Sequence, residues 1–486
     1  RLKFCALQKG MVIKMIKVHG IKKIGKIKPK TAHEIKTSPI GIGLEKLDRN
    51  LYDPERCYGF LEKLGVKWVR IQSGWCRTEK EKGVYDFEWL DSIVDNLIKR
   101  GLTPWMCLCY GNEMYTPGAV NAAGAVGCPP IKTETEQKAW VAYVKKCAEH
   151  FKGRIDLFEV WNEPNGFYCW RPEANADEYR DFCIMTAKAV KSVIPDAKIA
   201  GASVCTLHEH IGYLYRLVNR ELADCIDFIT YHGYDCCPEV VGKQDFENIK
   251  AVTEPYGDKI KIIQGEAGTQ SRYSLNGGLS DIEWTSEKQT KFILRRLMCD
   301  LMNGVYFSSI FSLVDIYENI FTDDVNICED KYGFFGIVGE TFDENGHPLS
   351  EYKEKDSFYA MQCVNTLFAD GVKRSRLAVT FDLPEHAGTY KDPNDGNVFY
   401  QTFESPNGSK AFVYWRMADV VSESCDGLVK INFCGASEDF KLIDLYDGTI
   451  YEIDKESVTC RDGVLTLGRL PLKDYPLMIA FDKFAD

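Results

Sequence analysis

The stretch IDLFEVWNEPN, residues 155–165, joins an apolar run to a polar loop that contains Glu163. The apolar part predicts a short buried strand, and the Asn-Glu-Pro sequence predicts the point at which that strand ends. About one hundred residues later a second apolar run, Ile260–Ile263, ends close to Glu266. Hydrolysis of a sugar acetal needs two such carboxyl groups, one to protonate the leaving oxygen and one to attack or stabilise the anomeric carbon.

Outward from these two strands, residues 40–312 alternate short apolar runs with amphipathic helical stretches. The predicted strands are Ile40–Gly43, Trp68–Gln72, Thr103–Cys109, Ile155–Val160, Lys198–Ala202, Phe228–Tyr231, Ile260–Ile263 and Val305–Phe311. The predicted helices are Pro54–Leu64, Phe87–Arg100, Glu134–Phe151, Ala176–Val193, Glu209–Leu222, Gln244–Tyr256, Ser286–Met302 and Lys355–Phe368. Eight strands that are each followed by a helix predict a (β/α)₈ TIM barrel over residues 37–369.

Two predicted loops are long, Tyr110–Thr133 and Leu313–Glu354, and both follow the C-terminal end of a strand. Barrels carry their chemistry at that end. We therefore expect both loops to shape a substrate cleft.

After residue 370 the helical pattern stops, and turn residues separate short apolar runs. The predicted strands are Val398–Thr402, Lys410–Trp415, Leu428–Phe433, Lys441–Asp444, Thr449–Ile453 and Leu477–Phe481. They predict an accessory all-β sandwich over residues 370–486. Residues 1–36 carry eleven Lys or Arg against the single acid Glu34, and they are too short to fold alone. We expect them to add strands to the sandwich, as a hairpin that turns at His19-Gly20, with a basic amphipathic surface segment as the alternative.

The composition and charge of the chain limit the classes of molecule that we expect it to bind. The net charge of −11 argues against nucleic acid, and no apolar run approaches the ~18 residues that span a bilayer. The 19 cysteines show no zinc-site spacing, and no glycine-rich phosphate loop is present, so we expect neither a metal nor a cofactor. No signal peptide is recognisable in the sequence. The large number of cysteines therefore predicts that the protein is located in the reducing cytoplasm.

Four residues carry the predicted chemistry. Glu163 is the predicted general acid, which then serves as the base of the second half-reaction. Glu266, between a glycine and an alanine that leave room for substrate, is the predicted nucleophile. Asn162 has an amide that can bind the sugar 2-hydroxyl. Arg70 lies in a predicted barrel strand, where a charge is costly unless paired, so we expect it to pair with Glu266 and keep it ionised.

Other polar and aromatic residues on the predicted rim have two open roles. His232 and Tyr234 follow the sixth strand and either donate hydrogen bonds to the nucleophile or substrate, or are structural. Sugar contact or loop anchoring is expected for Tyr110, Asn112, Trp75, Trp170 and Trp284. Further carboxylates that follow strand ends could bind substrate hydroxyls: Glu113, Asp235, Asp315 and Glu318. Glu159 lies within its strand, so we expect it to face a different way from Glu163.

These features resemble clan A glycoside hydrolases, and within that clan most resemble glycoside hydrolase family 39, the β-xylosidase and α-L-iduronidase family. The resemblance rests on Gly41–Glu45, Trp68–Arg70, Lys82–Phe87, Phe158–Asn165 and Gln264–Glu266. It implies a β-sandwich built from both chain ends, Glu163 as acid/base, Glu266 as nucleophile and retention of anomeric configuration. Many clan members have a Trp at the end of strand eight that floors the −1 subsite. Here Phe311 stands in that region, so Phe311 replaces the Trp or the floor comes from elsewhere.

The leading hypothesis is therefore an exo-acting retaining glycosidase on short oligosaccharides or glycosides, with β-xylosides first. Long loops after strands three and eight favour exo action because they could close one end of a cleft. The alternatives are a retaining endo-glycanase with an open groove and a non-catalytic carbohydrate-binding barrel. The sequence leaves open whether the chain forms a homo-oligomer.

Overall fold

A computed structural model describes residues 20–119, 122–318, 326–382, 398–421 and 424–485. Eight parallel strands close into a barrel in chain order. We number them barrel strands one to eight: Ile40–Gly43, Trp68–Gln72, Thr103–Leu108, Leu157–Val160, Lys198–Cys205, Phe228–His232, Lys261–Ala267 and Ser308–Ile310. Strand eight pairs with strand one and closes the ring. The predicted (β/α)₈ barrel is confirmed.

Most α-helices of the barrel region lie where the amphipathic pattern places them, and the short helix Trp75–Thr78 was not predicted. The α-helices of this region are Tyr58–Leu64, Trp75–Thr78, Glu88–Lys99, Glu134–Phe151, Ala176–Lys191, Leu207–Leu217, Arg220–Cys225, Lys243–Thr253, Ser286–Asn303 and Asp356–Leu367. Local signals set several ends; Thr133 and Glu136, for example, form a capping box at one N-terminus. The predicted helix Glu209–Leu222 is instead two helices, because the side chain of Asn219 accepts a hydrogen bond from the Leu222 amide and caps a new one.

Three barrel strands extend beyond their predicted ends, and strand five continues to Cys205. Strand six includes His232, and strand seven includes Glu266. In strands six and seven backbone pairing continues through polar residues, whereas the prediction ended each of the two at its last apolar residue. The predicted loop Leu313–Glu354 also differs, since it contains two small two-stranded sheets. Their strands are Ile316–Tyr317 with Tyr332–Gly333, and Val338–Phe342 with Pro348–Glu354.

The barrel interior is apolar at one end and polar at the other. Trp68 stacks on Phe307 with ring centroids 4.6 Å apart, and Trp105 meets the edge of Phe307 at 5.3 Å. Above this layer the guanidinium of Arg70 lies 5.5 Å from the centre of the Trp105 ring. Packed rings thus support a polar layer near the C-terminal ends of the strands.

Two antiparallel sheets form the second domain. The larger has seven strands in the order Ile21–Lys26, Thr449–Ile453, Phe440–Asp444, Leu477–Phe481, Lys410–Arg416, Val398–Glu404 and Lys373–Ser375. The smaller has four in the order Ala378–Asp382, Asp426–Cys434, Val464–Lys473 and Val458–Arg461. Apolar side chains of both sheets share one buried cluster, which makes the module the predicted sandwich.

Both chain ends meet in the sandwich, as predicted, because Ile21–Lys26 pairs antiparallel with Thr449–Ile453. The hairpin expected at His19-Gly20 falls largely outside the described residues, and the domain limits at 36/37 and 369/370 stay predictions. The sandwich contacts the barrel through Glu239, whose Oε1 accepts from Nε1 of Trp415 at 2.7 Å and from Nε of Arg295 at 2.6 Å. Within the described ranges, no helix has the length and apolarity that a membrane crossing requires.

Candidate active site

The two predicted catalytic glutamates meet at the C-terminal mouth of the barrel. Glu163 lies three residues beyond strand four, and Glu266 is the penultimate residue of strand seven. One oxygen of each carboxyl group and a ring nitrogen of His232 lie within 4.8 Å of one another. Retaining glycosidases hold their carboxyl groups about 5 Å apart, and inverting ones about 6.5–9.5 Å apart. The spacing of these two carboxyl groups falls in the shorter of the two ranges.

A sharp turn brings Glu163 over the barrel. Trp161 and Glu163 have φ angles of 67° and 47°. These angles lie in the left-handed region, which residues other than glycine rarely adopt. The amide of Glu163 donates to the carbonyl of Ser203 at 3.0 Å and ties this turn to strand five. Backbone conformations of this kind are retained where the surrounding structure enforces them, which is common at functional sites.

Arg70 is the centre of the polar layer and is completely buried. Its Nη1 donates to Oε2 of Glu266 at 2.5 Å, its Nε to Oε2 of Glu159 at 2.7 Å and its Nη2 to Oδ1 of Asn162 at 2.9 Å. The structure therefore places Arg70 on Glu266, where the sequence predicted it. One guanidinium fixes both the nucleophile candidate and the amide beside it.

Tyr234 and His232 contact the two carboxylates. The Tyr234 hydroxyl donates to Oε1 of Glu266 at 2.7 Å, and burial followed by the charges of Glu266 and Glu163 raises its pKa well above the usual value. Nδ1 of His232 lies 2.8 Å from Oε1 of Glu163. Burial alone would lower the pKa of His232, but Glu266 and Glu163 outweigh it and the pKa is raised. The phenol thus stays a donor, and the imidazole is drawn toward its cationic form.

The amide of Asn162 is oriented from both sides. Its Oδ1 accepts from Arg70, and its Nδ2 has only the thiol of Cys169 as a weak partner, at 3.6 Å. Cys169 also lies 3.9 Å from Oε2 of Glu163, and burial followed by that carboxylate raises the pKa of the thiol. The Asn162 amide can therefore still donate to a sugar hydroxyl beside the reacting carbon.

The predicted sugar-stacking rings are placed inside the protein. Trp75 and Trp170 are fully buried, Trp284 is 3% exposed, and Nε1 of Trp75 donates to Glu79 at 2.6 Å. The amide of Asn112 joins its own loop to the segment after strand two, donating to the carbonyl of Glu79 and accepting from the amide of Met114. In the part of the chain that the structure describes, the burial of the three rings and the hydrogen bonds of Asn112 favour loop anchoring over sugar contact for these four residues.

Two aromatic residues of the prediction lie near the catalytic pair. Phe311 packs on Phe335, with ring centroids 5.2 Å apart, and both rings border Tyr234. Tyr110 meets the edge of Trp161 at 5.4 Å and is 3% exposed, so it supports the turn that carries Glu163. Phe311 thus forms part of a wall beside the nucleophile candidate.

Most competing carboxylates already have partners. Glu159 points into the barrel, accepting from Arg70, from Ser203 and from Thr230. Ion pairs join Asp235 to Arg296, Asp315 to Lys355 and Glu318 to Lys46. Glu113 is exposed. Among described residues, the one group with metal-ligand proximity is Glu163, His232 and Glu266, and their hydrogen bonds are also compatible with acid–base chemistry.

Sequence reasoning missed three residues near the site. Phe167 and Tyr168 are more than half exposed and follow Glu163 closely in the chain. Their position directly after an Asn-Gly turn was the available signal. Glu45, two residues beyond strand one, is 3% exposed and lies 3.4 Å from Nη1 of Arg70. Its position directly after the apolar run Ile40–Leu44 was its signal.

Comparisons with known proteins address the family of this chain. The model of glycosyl hydrolases family 39 matches residues 15–273, more than half of the chain. A β-xylosidase of Geobacillus stearothermophilus is 30% identical over 167 residues, which are 32% of this chain and 31% of that protein. The chain spans about a third of the length of the curated relatives it matches.

Two solved structures share the fold. A family 39 glycoside hydrolase from Bacteroides cellulosilyticus WH2 has a TM-score of 0.66 and 16% identity, covering 94% of this chain and 83% of that chain. A monomeric β-xylosidase from Caulobacter crescentus CB15 has a TM-score of 0.60 and 15% identity, covering 94% and 97%. At these identities the likeness shows the fold alone. The family model decides the assignment: this chain belongs to glycosyl hydrolases family 39.

Proposed function

We propose that this protein is a retaining glycosidase that acts by double displacement, with Glu163 as acid/base and Glu266 as nucleophile. The observation that carries the proposal is the 4.8 Å proximity of their oxygens at the mouth of the barrel. Hydrogen bonds from Arg70 and Tyr234 to Glu266 support the assignment of roles, because they orient the carboxylate that must attack.

In the first step a Glu266 oxygen bonds to the anomeric carbon while Glu163 gives its proton to the departing glycosidic oxygen. In the second step Glu163, now a carboxylate, takes a proton from water as that water attacks the same carbon and releases Glu266. Asn162 donates to the 2-hydroxyl, a contact that strengthens in the transition state. His232 positions the carboxyl group of Glu163 through both half-reactions.

As substrates we propose β-xylosides. The enzyme would release xylose from the ends of short oligosaccharides. Support comes from the relatives described as β-xylosidases. The exposed rings of Phe167 and Tyr168 offer a surface for a leaving-group sugar just beyond Glu163. We also propose a reducing compartment, since all eighteen cysteines in the described ranges are free thiols.

A panel of nitrophenyl glycosides tests the activity, and ¹H NMR of the first anomer formed tests retention. We expect fastest release from the β-xyloside, with β-xylose as the initial product. Initial α-xylose would contradict the double displacement, and no hydrolysis of any glycoside would contradict the enzyme assignment.

Two alternatives have their own signatures. A retaining endo-glycanase would release xylobiose or longer products from xylohexaose before any xylose. A non-catalytic sugar-binding barrel would bind xylo-oligosaccharides without turnover, and Glu163→Gln and Glu266→Ala would leave its measured properties unchanged.

A further inference from the structure

A third carboxyl group lies beside the catalytic pair and has no role in the mechanism above. Glu45 follows barrel strand one, and its side chain is 3% exposed. Its Oε1 lies 3.4 Å from Nη1 of Arg70, the same nitrogen that donates to Glu266 at 2.5 Å. The Nη1 amino group of Arg70, which carries two N–H bonds, thus faces both carboxyl groups.

The space that Glu45 occupies is provided by Gly43. Gly43 pairs in register with Arg70, so both positions face the barrel interior. A Cβ on Gly43 would overlap Oε2 of Glu45. The missing side chain of Gly43 therefore leaves room for the carboxyl group of Glu45 to fold down toward Arg70.

Charge and hydrogen bonding distinguish Glu45 from its neighbours. The guanidinium of Arg70 faces three carboxyl groups, those of Glu45, Glu159 and Glu266. Glu159 also accepts from two hydroxyl groups, and Glu266 accepts from Tyr234. Oε2 of Glu45 is buried without a partner. Burying a charge is costly unless it is paired and hydrogen-bonded, so Glu45 is the member of the three least suited to ionise.

We propose, on the basis of the glycosidase function above, that Glu45 is a positioning residue for the nucleophile. As a neutral carboxylic acid in the space over Gly43, it leaves the positive charge of Arg70 to the carboxylates of Glu159 and Glu266. An ionised Glu45 would draw the guanidinium toward itself and loosen the geometry of Glu266.

The electrostatic surroundings agree with this role. Burial raises the pKa of Glu45 to about 7; Arg70 opposes the shift, and Glu266 adds to it. The other titratable groups that face Glu45 are Tyr52 and Tyr234, whose pKa values are raised well above the usual range, chiefly by burial. They stay neutral near pH 7, so Glu45 is the group in this set that changes charge there.

The test isolates the attack by Glu266. Wild type and Glu45→Gln are inactivated with 2,4-dinitrophenyl 2-deoxy-2-fluoro-β-xyloside, which traps the glycosyl-enzyme and has a leaving group that needs little protonation by Glu163. For the wild type we expect a rate about tenfold lower at pH 8 than at pH 6, because a group with a pKa near 7 is then mostly ionised. Glu45→Gln should keep the pH 6 rate within about threefold and lose the decline, since its amide cannot ionise.

A matched control is Glu340→Gln. Glu340 also has a pKa raised mainly by burial and an arginine partner, Arg56 at 3.3 Å, but it lies in the loop after strand eight. This variant should retain the decline. A decline in Glu45→Gln equal to that of the wild type would overturn the inference, as would a flat wild-type profile.

Infrared spectroscopy tests the protonation of Glu45 apart from turnover. The wild-type minus Glu45→Gln difference spectrum at pH 6 should contain the carbonyl band of a protonated carboxyl group, and its absence would overturn the inference. If the reagent labels neither protein while that band is present, the proposed function fails, and the role toward Glu266 falls with it.

Discussion

Replacing Tyr234 with Phe removes one hydrogen bond from the nucleophile candidate and little else. The hydroxyl donates to Oε1 of Glu266 at 2.7 Å, while the ring packs near Phe311 and Phe335. Phe keeps the ring contacts. Glu266 would then be held by Arg70 at Oε2 alone and could rotate about its terminal torsion.

The expected magnitude follows from the charge on Glu266. A hydrogen bond to a charged group contributes about 1.5–3 kcal/mol. With tenfold in rate for each ~1.4 kcal/mol, kcat/KM should fall roughly 10- to 150-fold. The loss should be similar for good and poor leaving groups, because Tyr234 does not contact the acid Glu163 in the described hydrogen bonds.

The assay is kcat/KM for nitrophenyl and methyl β-xylosides, measured with the melting temperature of each protein. The matched control is Tyr414→Phe, which removes a buried hydroxyl that donates to the carbonyl of Pro471 in the sandwich at 3.0 Å. That variant should lower the melting temperature and leave kcat/KM unchanged. If Tyr234→Phe kept kcat/KM within threefold of the wild type, the hydroxyl would not orient the nucleophile.

Four further predictions test the rest of the site. Glu266→Ala should abolish turnover of nitrophenyl β-xyloside, with partial recovery in azide as the small anion enters the vacated space; untreated activity would refute the nucleophile. Glu163→Gln should lower kcat/KM by about 10²–10⁴ for methyl β-xyloside and far less for the dinitrophenyl glycoside, and equal losses would contradict the acid role. Arg70→Met should lower the free energy of unfolding in urea by about 3–5 kcal/mol, because it leaves Glu159 and Glu266 unpaired, and a loss below 1 kcal/mol would be inconsistent with the observed contacts. The raised pKa of His232 means that its stabilising contribution is complete below the unfolded value of about 6.5 and is lost as pH rises through the folded value; the stability difference between wild type and His232→Asn should therefore shrink from pH 6 to pH 9, and a constant difference would contradict a charged His232.

Much of the fold was predictable because its signals are local. Apolar runs located all eight barrel strands, and Glu134–Phe151 matched to the residue because a capping box marks its start. The β-sandwich was harder. Strand Val464–Lys473, the longest of its sheet, was missed because Pro471 and Gly468 lie inside it. Partner strands, which the local pattern does not reveal, stabilise that segment.

The candidate site divides in the same way. Glu163 and Glu266 stand out because each follows an apolar run. The order of these runs along the chain therefore predicts that both carboxyl groups lie at the same end of the barrel. Trp75 and Trp170 show the limit, since a tryptophan on a predicted rim loop can face either solvent or core. In the structure both tryptophan side chains pack into the core.

By itself, then, the chain order determined a closed barrel with acid groups after its fourth and seventh strands. Tertiary structure alone decided that Arg70 meets Glu45, Glu159 and Glu266, which lie 25, 89 and 196 residues away from it. The physical reason is that periodicity encodes which face of a strand is buried, whereas the sharing of one guanidinium among three carboxyl groups depends on barrel closure and on the space left by a single glycine.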